Sequence, residues 1–249
     1  FTGSPEVGWG LKATAGPRRV TLELGGNAAA ILAPDATIDT ALPSLVTAAF
    51  AYAGQVCISL QRLFVHRDHY AAVRQQLITL TSQVPTGDPH DPATVVGPLI
   101  TAGDADRIES WIAGAVAAGA TTLVPARRLN SQTLTPALVE GVPPELPLSA
   151  EEVFGPVLLL EEYDTIGEAI ARVNASRYGL QAAVYTHDWR IMQQAHATLE
   201  VGGVMINLPP SFRIDSMPYG GVKRSGFGRE GITSAIAEYT EPRLCVIRA

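Results

Sequence analysis

The chain has 249 residues, of which 47% are hydrophobic and 17% are charged, and its net charge is -6 at pH 7. This length allows one large domain or two small ones with a substantial buried core. The negative charge argues against a nucleic-acid partner, because phosphate binding requires clustered positive charge. No apolar run approaches the ~20 residues that a membrane-spanning helix requires, so no membrane partner is expected.

Two isolated cysteines, Cys57 and Cys245, make a disulfide framework or a Cys-x-x-Cys metal site unexpected, and we predict no metal. No signal peptide is recognisable, so a reducing, cytoplasmic setting is predicted. The chain opens at Phe1 rather than at methionine. We therefore expect it to be a piece of a longer polypeptide.

Helices and short apolar strands alternate along the chain. Apolar residues at helical spacing indicate the helices, and short apolar or alternating runs bounded by turn residues indicate the strands. This alternation predicts an α/β fold with a mainly parallel sheet flanked by helices. Thr37 or Asp39 is expected to cap the first helix. The predicted elements in chain order are strand 19–24, strand 28–32, helix 38–52, strand 61–65, helix 69–83, helix 101–118, strand 121–124, strand 153–163 broken at Gly155-Pro156, helix 166–174, strand 182–186, helix 189–198 and strand 202–207.

A last extended segment is predicted over 238–247. The other predicted strands leave it little to pair with inside the chain. Its free edge would be a liability unless another element or a second subunit covers it.

Cys57 stands in the frame Gly54-Gln55-Val56-Cys57-Ile58. A lone cysteine is most often a small buried hydrophobic residue. The alternative is a nucleophile, since the glycine lets backbone approach a reacting centre and the expected loop-to-helix junction would favour a thiolate. A thiolate attacks aldehydes, and a nearby N–H group would hold the resulting oxyanion.

Glu23 lies at the end of the first predicted strand, in the frame Thr21-Leu22-Glu23-Leu24-Gly25-Gly26. One interpretation is a solvated carboxylate at a strand end. The other is a partly buried carboxylate that faces a cleft, whose pKa would rise toward neutrality and suit a general base.

Five motifs occur in order along the chain, and together they cover nearly all of it. This series resembles the NAD(P)-dependent aldehyde dehydrogenase superfamily, and the spacing between Glu23 and Cys57 is the usual one in that family. The motifs are Phe1-Thr2-Gly3-Ser4, Leu22-Glu23-Leu24-Gly25-Gly26, Gly54-Gln55-Val56-Cys57, Glu151-Glu152-Val153-Phe154-Gly155-Pro156 and Pro218-Tyr219-Gly220-Gly221-Val222-Lys223-Arg224-Ser225-Gly226.

The resemblance implies a domain layout. Residues 1–24 would be the tail of the dinucleotide-binding domain, 25–235 the catalytic domain, and 236–249 an oligomerisation strand of a homodimer or homotetramer. Full members of the family have roughly as much sequence again before the Phe1 position, including most of the cofactor domain and an oxyanion-hole asparagine. The fragment is therefore expected to be inactive alone.

The resemblance also implies roles for individual residues. Cys57 would form a thiohemiacetal with the aldehyde, hydride transfer to NAD or NADP would give a thioester, and Glu23 would activate the hydrolytic water. The structural alternatives for the cofactor residues are a glycine turn, a salt-bridged surface glutamate and a core phenylalanine. The implied cofactor-binding residues are Gly3, Ser4, Gly8, Leu24, Glu152 and Phe154.

The implied substrate residues are Asn207, Phe212 and Arg213, at the family's variable pocket loop. The combination of Gln55-Val56-Cys57-Ile58-Ser59 with 212–215 resembles the branch that acts on lactaldehyde-like, hydroxylated or anionic short aldehydes. Arg213 would recognise a polar or anionic tail, or would merely pair with Asp215. Asn207 is either near the active site or a strand-end turn residue.

Departures and rival functions remain. Many family members carry lysine where this chain has Asn27.

A relative that transfers the thioester to coenzyme A often lacks the base glutamate, so Glu23 favours hydrolysis. A catalytically silent assembly module is the alternative from another class. A cysteine hydrolase needs a histidine partner, and none of the five histidines lies in a motif for one.

Overall fold

The computed structural model describes residues 1–248. Its helices are α1 (Pro5–Thr14), α2 (Ile38–Phe50), α3 (Arg67–Ser82), α4 (Ala102–Ala117), α5 (Pro147–Ala150), α6 (Ile166–Asn174), α7 (Trp189–Thr198) and α8 (Ile232–Tyr239), with a 3-10 turn at Ala51–Gly54. Its strands are β1 (Leu22–Glu23), β2 (Ala28–Leu32), β3 (Leu60–His66), β4 (Thr121–Val124), β5 (Ala137–Glu140), β6 (Val157–Tyr163), β7 (Tyr178–Gly179), β8 (Gln181–Tyr185), β9 (Gly203–Ile206), β10 (Val222–Lys223) and β11 (Gly226–Phe227).

Seven strands form the central sheet in the order β4-β5-β6-β3-β2-β8-β9. All neighbours in this sheet are parallel except β4, which runs antiparallel to β5 at one edge. Two small antiparallel pairs, β1 with β11 and β7 with β10, lie outside it. The predicted α/β fold with a mainly parallel sheet is confirmed.

Both faces of the sheet are covered, and this explains the continuous apolar runs in the sequence. In β2, Ala30 and Leu32 belong to the larger core cluster, which packs with residues of α2, α3 and α4. Ala29 and Ile31 of the same strand belong to the second cluster, with residues of α6 and α7. A strand buried on both faces needs no polar alternation.

Most predicted elements match the structure within two residues. Helices α6 and α7 and strands β2 and β4 have the predicted bounds, and the strand predicted over 153–163 begins at Val157. Thr37 is the N-cap position of α2, although its side chain makes no capping hydrogen bond. Within residues 1–248, every helix is too short or too polar to cross a bilayer.

Two strand predictions are wrong in extent. Only Leu22–Glu23 of the strand predicted over 19–24 is a strand. The segment predicted over 238–247 begins inside α8, and residues 240–248 form no strand. Its apolar residues are exposed because no neighbouring element covers them within the described residues. Pairing of this segment with a partner subunit stays a prediction, and Ala249 lies outside the described residues. The division into domains stays a prediction.

Asn27 and Arg62 form a buried polar contact between β2 and β3. The Nε of Arg62 donates to Oδ1 of Asn27 at 2.6 Å, and Nδ2 of Asn27 donates to the carbonyl of Ser149 at 2.7 Å. Both side chains are 6% exposed. Burial lowers the pKa of Arg62 to about 10, so the guanidinium remains charged at neutral pH. Asn27 thus satisfies a buried cation and connects it to the chain segment just before Glu152.

We expect Asn27→Ala to lower the free energy of unfolding by about 2 to 4 kcal/mol, because it leaves the buried guanidinium of Arg62 short of an acceptor. The matched control is Gln194→Ala on the exposed face of α7, with a change below about 0.5 kcal/mol. Urea unfolding of both variants measures the difference. Equal small losses would contradict a stabilising role for Asn27.

Candidate active site

A cavity of about 740 Å³ collects side chains that are far apart in the sequence. It receives residues from the start of α1, from β1, from the turn before β3, from the loop before β6 and from the loops that follow β9. These are segments that no local pattern connects. Its lining residues are Thr2, Gly3, Ser4, Glu23, Leu24, Gly25, Gln55, Val56, Cys57, Glu152, Phe154, Arg213, Tyr219 and Glu230.

Glu23 is held by its backbone on both sides. Its N–H donates to the Phe1 carbonyl at 2.9 Å, and its carbonyl accepts from the N–H of Gly3 at 3.1 Å. On the other side, β1 pairs with β11, where Glu23 lies opposite Gly226. The short strand therefore fixes the position from which the side chain reaches the cavity.

The Glu23 carboxyl is buried without a hydrogen-bond partner. The residue is 5% exposed, and neither carboxyl oxygen has a partner among the described residues. Burial, followed by the charge of Glu230, raises the pKa of Glu23 to about 7. Of the two interpretations of Glu23 from the sequence, the buried carboxyl with a raised pKa agrees with the structure, and such a carboxyl can exchange a proton near neutral pH.

Cys57 lies in a tight turn between the 3-10 turn and β3. Tyr52 and Ala53 adopt left-handed backbone conformations with φ of 55° and 58°, followed by Gly54 at φ 69°. Such conformations are unfavourable for residues with a Cβ and persist where surrounding structure enforces them. A Cβ at Gly54 would collide with the carbonyl of Gly155, so glycine is required there.

The expected loop-to-helix junction at Cys57 is wrong, because the turn leads into β3. No helix begins there to stabilise a thiolate. Burial, with smaller contributions from the charges of Glu152 and Glu23, raises the pKa of Cys57 above its usual range. A hydrogen bond between Sγ and the Tyr219 hydroxyl, at 3.0 Å, acts in the opposite direction. The resting group is therefore a thiol that needs a base.

Two adjacent glycines, Gly25 and Gly26, allow the chain segments around the cavity to pack closely together. A Cβ on Gly26 would collide with the carbonyl oxygen of Cys57, and a Cβ on Gly25 would collide with the carboxyl group of Glu152. The N–H of Gly26 also donates to Oε1 of Glu152 at 2.9 Å. The backbone after Glu23 thus passes directly between the cysteine turn and the second carboxyl group, as the glycines in the sequence suggested.

Glu152 and Phe154 both line the cavity. Burial raises the pKa of Glu152 to about 7, and the hydrogen bond from Gly26 opposes that shift. Phe154 has a φ of 46°, a conformation that turns the backbone sharply before β6. Neither residue is the salt-bridged glutamate or the core phenylalanine that the structural alternative predicts.

The start of α1 forms another wall. Gly3 and Ser4 line the cavity, and Oγ of Ser4 accepts from the N–H of Val7 at 3.4 Å, which caps the helix. Leu24 also lines the cavity, and a Cβ on Gly8 would collide with its side chain. Gly8 is therefore a packing position behind the wall rather than part of the surface.

Arg213 lines the cavity, and its guanidinium pairs with Glu230 at 3.2 Å. The alternative partner named from the sequence, Asp215, is not the one observed. The guanidinium also lies 4.4 Å from the centre of the Tyr219 ring. Its side chain is 42% exposed, so it can reach solvent and cavity alike.

Phe212 and Asn207 lie away from the cavity lining. Phe212 packs against the larger core cluster. Asn207 exchanges two hydrogen bonds with the backbone of Thr186, each 2.9 Å long, and has a φ of 55°. These contacts agree with the turn interpretation of Asn207.

Tyr219 and Glu230 were given no role from the sequence. Tyr219 stands in a quoted motif, Pro218-Tyr219-Gly220-Gly221, which could have indicated it. Glu230 has no comparable signal, because only its pairing across the bridge with Tyr219 brings it to the cavity.

A family model described as "Aldehyde dehydrogenase family" matches residues 1–245. The chain belongs to the aldehyde dehydrogenase family. It is 42% identical over 247 residues to a 3-sulfolactaldehyde dehydrogenase of Priestia aryabhattai, covering 99% of this chain and 52% of that protein. It is 41% identical to a lactaldehyde dehydrogenase of Methanococcus maripaludis strain C7, covering 99% and 53% respectively.

Solved aldehyde dehydrogenase structures share the fold. Aldehyde dehydrogenase 21 of Physcomitrella patens, described in complex with the reaction product succinate, superposes with a TM-score of 0.96 at 38% identity. That match covers 100% of this chain and 52% of the other. A glyceraldehyde-3-phosphate dehydrogenase of Methanocaldococcus jannaschii, described as complexed with NADP, has a TM-score of 0.90 at 35% identity, covering 96% and 52%. The chain spans about half the length of these aldehyde dehydrogenases.

The raised pKa of Glu23 makes stability depend on pH. The unfolded carboxyl titrates near 4.5 and the folded one near 7, so this contribution is full below pH 4.5 and is lost as pH rises through 7. Glu23→Gln stays neutral, so we expect it to be more stable than the parent by about 2 to 3 kcal/mol at pH 8. The gain should vanish at about pH 4, where the Glu23 carboxyl of the parent is largely protonated in both the folded and the unfolded state.

Urea unfolding at the two pH values measures this difference. The control Glu145→Gln, at an exposed position, should change stability by less than about 0.5 kcal/mol at either pH. A Glu23→Gln variant that is no more stable than the parent at pH 8 would contradict the buried, unpartnered carboxylate.

Proposed function

We propose that this chain is the catalytic half of an NAD(P)-dependent aldehyde dehydrogenase that oxidises an aldehyde to a carboxylate. The observation that carries the proposal is the shared cavity: a cysteine thiol and an unpartnered carboxyl group with a pKa of about 7 line the same walls. The family membership supports it. Because the chain spans half of its relatives, the activity is proposed for a polypeptide of their length.

Glu23 is proposed as the base that prepares the nucleophile. Its carboxylate takes the proton of the Cys57 thiol, directly or through water, which is needed because burial holds that thiol protonated. The sulfur then forms a bond to the aldehyde carbon, and the carbonyl oxygen gains the electron pair, giving a thiohemiacetal on Cys57.

The same carboxyl group is proposed to complete turnover. A bound nicotinamide cofactor supplies the hydride acceptor that converts the thiohemiacetal to a thioester. Glu23 releases the proton that it took from the thiol to solvent, and it then removes a proton from water, whose oxygen attacks the thioester carbon. The carbon–sulfur bond breaks, releasing the carboxylate product and restoring Cys57. The raised pKa of Glu23 suits both proton transfers.

The walls of the cavity carry groups that would suit part of a dinucleotide. We propose that Gly3 and Ser4 present the N-terminus of α1 to the pyrophosphate, since free N–H groups and the helix dipole favour anions there. Glu152 is proposed to hydrogen-bond the nicotinamide ribose, with Phe154 and Leu24 beside the ring. The Glu152 carboxyl group packs directly against Gly25, where a Cβ would collide with it. Gly8 would act indirectly, through Leu24.

The substrate is proposed to be a short aldehyde with an anionic or hydroxylated tail. Arg213 stands at the cavity wall with a half-exposed guanidinium. Guanidinium groups match carboxylate and sulfonate oxygens in geometry and charge. Relatives named for lactaldehyde, 3-sulfolactaldehyde and sulfoacetaldehyde agree with this class.

Assembly and location belong to the same proposal. Residues 1–24 would complete a dinucleotide-binding domain supplied mostly by the rest of the enzyme. Exposed apolar residues toward the C-terminus, among them Ile236, Leu244 and Ile247, would be covered by a partner subunit in a homodimer or homotetramer. The two cysteines are free, which fits a reducing, cytoplasmic compartment.

The proposed function predicts carboxylate production from lactaldehyde or sulfolactaldehyde, coupled to nicotinamide reduction. The assay compares the 249-residue chain with a polypeptide in which the other half of the family sequence precedes Phe1, and activity is expected in the second only. In the longer polypeptide, Cys57→Ala should lower kcat about a thousandfold or more, and Glu23→Gln should lower it about a hundred- to ten-thousandfold. The rate should rise with pH through about 7, as Glu23 loses its proton.

The product decides between the rival functions. Carboxylate supports hydrolysis by Glu23, whereas an acyl-CoA formed only with added coenzyme A would identify a CoA-acylating enzyme. No turnover by either folded polypeptide would favour a silent assembly module. Equal turnover by both polypeptides would contradict the need for the other half. A cysteine hydrolase is disfavoured because no histidine among the described residues lines the cavity.

Substrate selection by Arg213 has its own test. Arg213→Ala should lower kcat/KM for sulfolactaldehyde about ten- to hundredfold relative to a neutral aldehyde such as propionaldehyde, through the loss of charge-assisted hydrogen bonds. Arg190→Ala is the matched control, since that arginine is 88% exposed and pairs with Asp188. An unchanged ratio between the two aldehydes would remove Arg213 from substrate recognition.

A further inference from the structure

The only polar side-chain contact of the Cys57 sulfur among the described residues is a phenol. The Tyr219 hydroxyl lies 3.0 Å from Sγ. Tyr219 is 5% exposed and packs with Ile58 and Leu180 in a small apolar cluster against which Cys57 also lies. The hydroxyl is therefore shielded from bulk water, and its best hydrogen-bond partner is the sulfur.

The backbone pins the tyrosine in place. Its N–H donates to the carbonyl of Glu230 at 3.0 Å, and the N–H of Glu230 donates to the carbonyl of Tyr219 at 2.6 Å. This two-residue bridge fixes the loop between β9 and β11 against the cavity. The hydroxyl is thus placed by the fold, without a mobile side chain that must search for the sulfur.

The direction of the hydrogen bond follows from the protonation states. Burial, together with the Cys57 charge, raises the pKa of Tyr219 well above its usual range, so the phenol keeps its proton. A thiolate has no proton to give. When Cys57 is ionised, the contact is therefore an O–H group that donates to sulfur.

The other charges near the sulfur have the opposite effect. Glu152, from the loop before β6, and Glu23, from β1, both raise the pKa of Cys57. Arg213 lies over the ring of Tyr219 and pairs with Glu230. Among the side chains that face Cys57, the tyrosine is the group that favours the ionised form.

We propose that the Tyr219 hydroxyl donates a hydrogen bond that stabilises the Cys57 thiolate and holds the sulfur in place for attack. This assignment rests on the proposed nucleophilic role of Cys57. The proposed contribution of Tyr219 comes from its hydroxyl group, because the aromatic ring alone would be enough for packing in the apolar cluster. The Arg213 cation over the ring lowers the pKa of Tyr219 against the larger effect of burial, which strengthens the hydroxyl as a donor.

The test measures the pH dependence of Cys57 alkylation by iodoacetamide, a neutral probe, in the full chain. A Cys245→Ser background leaves Cys57 as the single thiol. In this background, Tyr219→Phe should raise the midpoint of the alkylation profile by about one pH unit or more. The rate at pH 8 should fall about three- to tenfold, because the higher nucleophilicity of the more basic thiolate offsets part of the loss. The plateau at high pH should be equal or higher.

Tyr185→Phe is the matched control. It removes another mostly buried phenol hydroxyl, 3.2 Å from Oγ of Ser44, away from the cavity. Its alkylation profile should equal that of the background protein. An unchanged midpoint in Tyr219→Phe, or the same shift in Tyr185→Phe, would overturn the proposal.

A second substitution covers the case in which Tyr219→Phe does not fold. Site-specific 3-fluorotyrosine at position 219 keeps the hydroxyl and makes it a stronger donor, so the midpoint should move downward. No shift, or an upward shift, would overturn the proposal. The alkylation profile needs neither aldehyde nor cofactor, so it stands or falls separately from the oxidation assay.

Discussion

The close approach of the Cys57 backbone and the Glu152 carboxyl group to Gly25-Gly26 is the constraint on which the site depends. Gly26 lies against the Cys57 carbonyl, while Gly25 lies against the Glu152 carboxyl group. A side chain at position 26 would push the backbone of the cysteine turn away from the end of β1, and a side chain at position 25 would displace the Glu152 carboxyl group. Two residues without a Cβ therefore allow the Cys57 thiol and both acidic groups to share one cavity.

Burial then sets the chemistry of these groups. Removing Glu23 and Glu152 from water raises the pKa of each to about 7, and it also keeps the Cys57 thiol protonated. These shifts cost folding stability at neutral pH, because each charged form is disfavoured in the native state. The same shifts let these carboxyl groups exchange protons near neutral pH, as the proposed role of Glu23 as a base requires. Burial of Glu23 and Glu152 therefore lowers folding stability and raises the pKa values by the same physical effect, the loss of hydration of the charged carboxylates.

Local pattern predicted the scaffold well because most of it is buried on two faces. The apolar runs of β2 and the periodic residues of α6 reflect direct contact with a core. Pattern failed where the chain lacks such contact. Residues 19–21 continue the alternation of β1, and residues 240–248 include several apolar side chains, yet neither segment pairs with a neighbouring strand among the described residues. A strand needs a partner, which no local sequence can supply.

The sequence by itself determined the family and the fold class, and it predicted the pair Cys57 and Glu23, because motif order and residue chemistry are properties of the chain itself. Tertiary structure decided which other side chains join them. It brought Tyr219 to the sulfur and Glu230 to Arg213, and it left Asn207 and Phe212 outside the cavity. It also reversed the expected shift of the thiol. Desolvation and contact are properties of the folded surroundings, because they depend on residues that are distant in sequence.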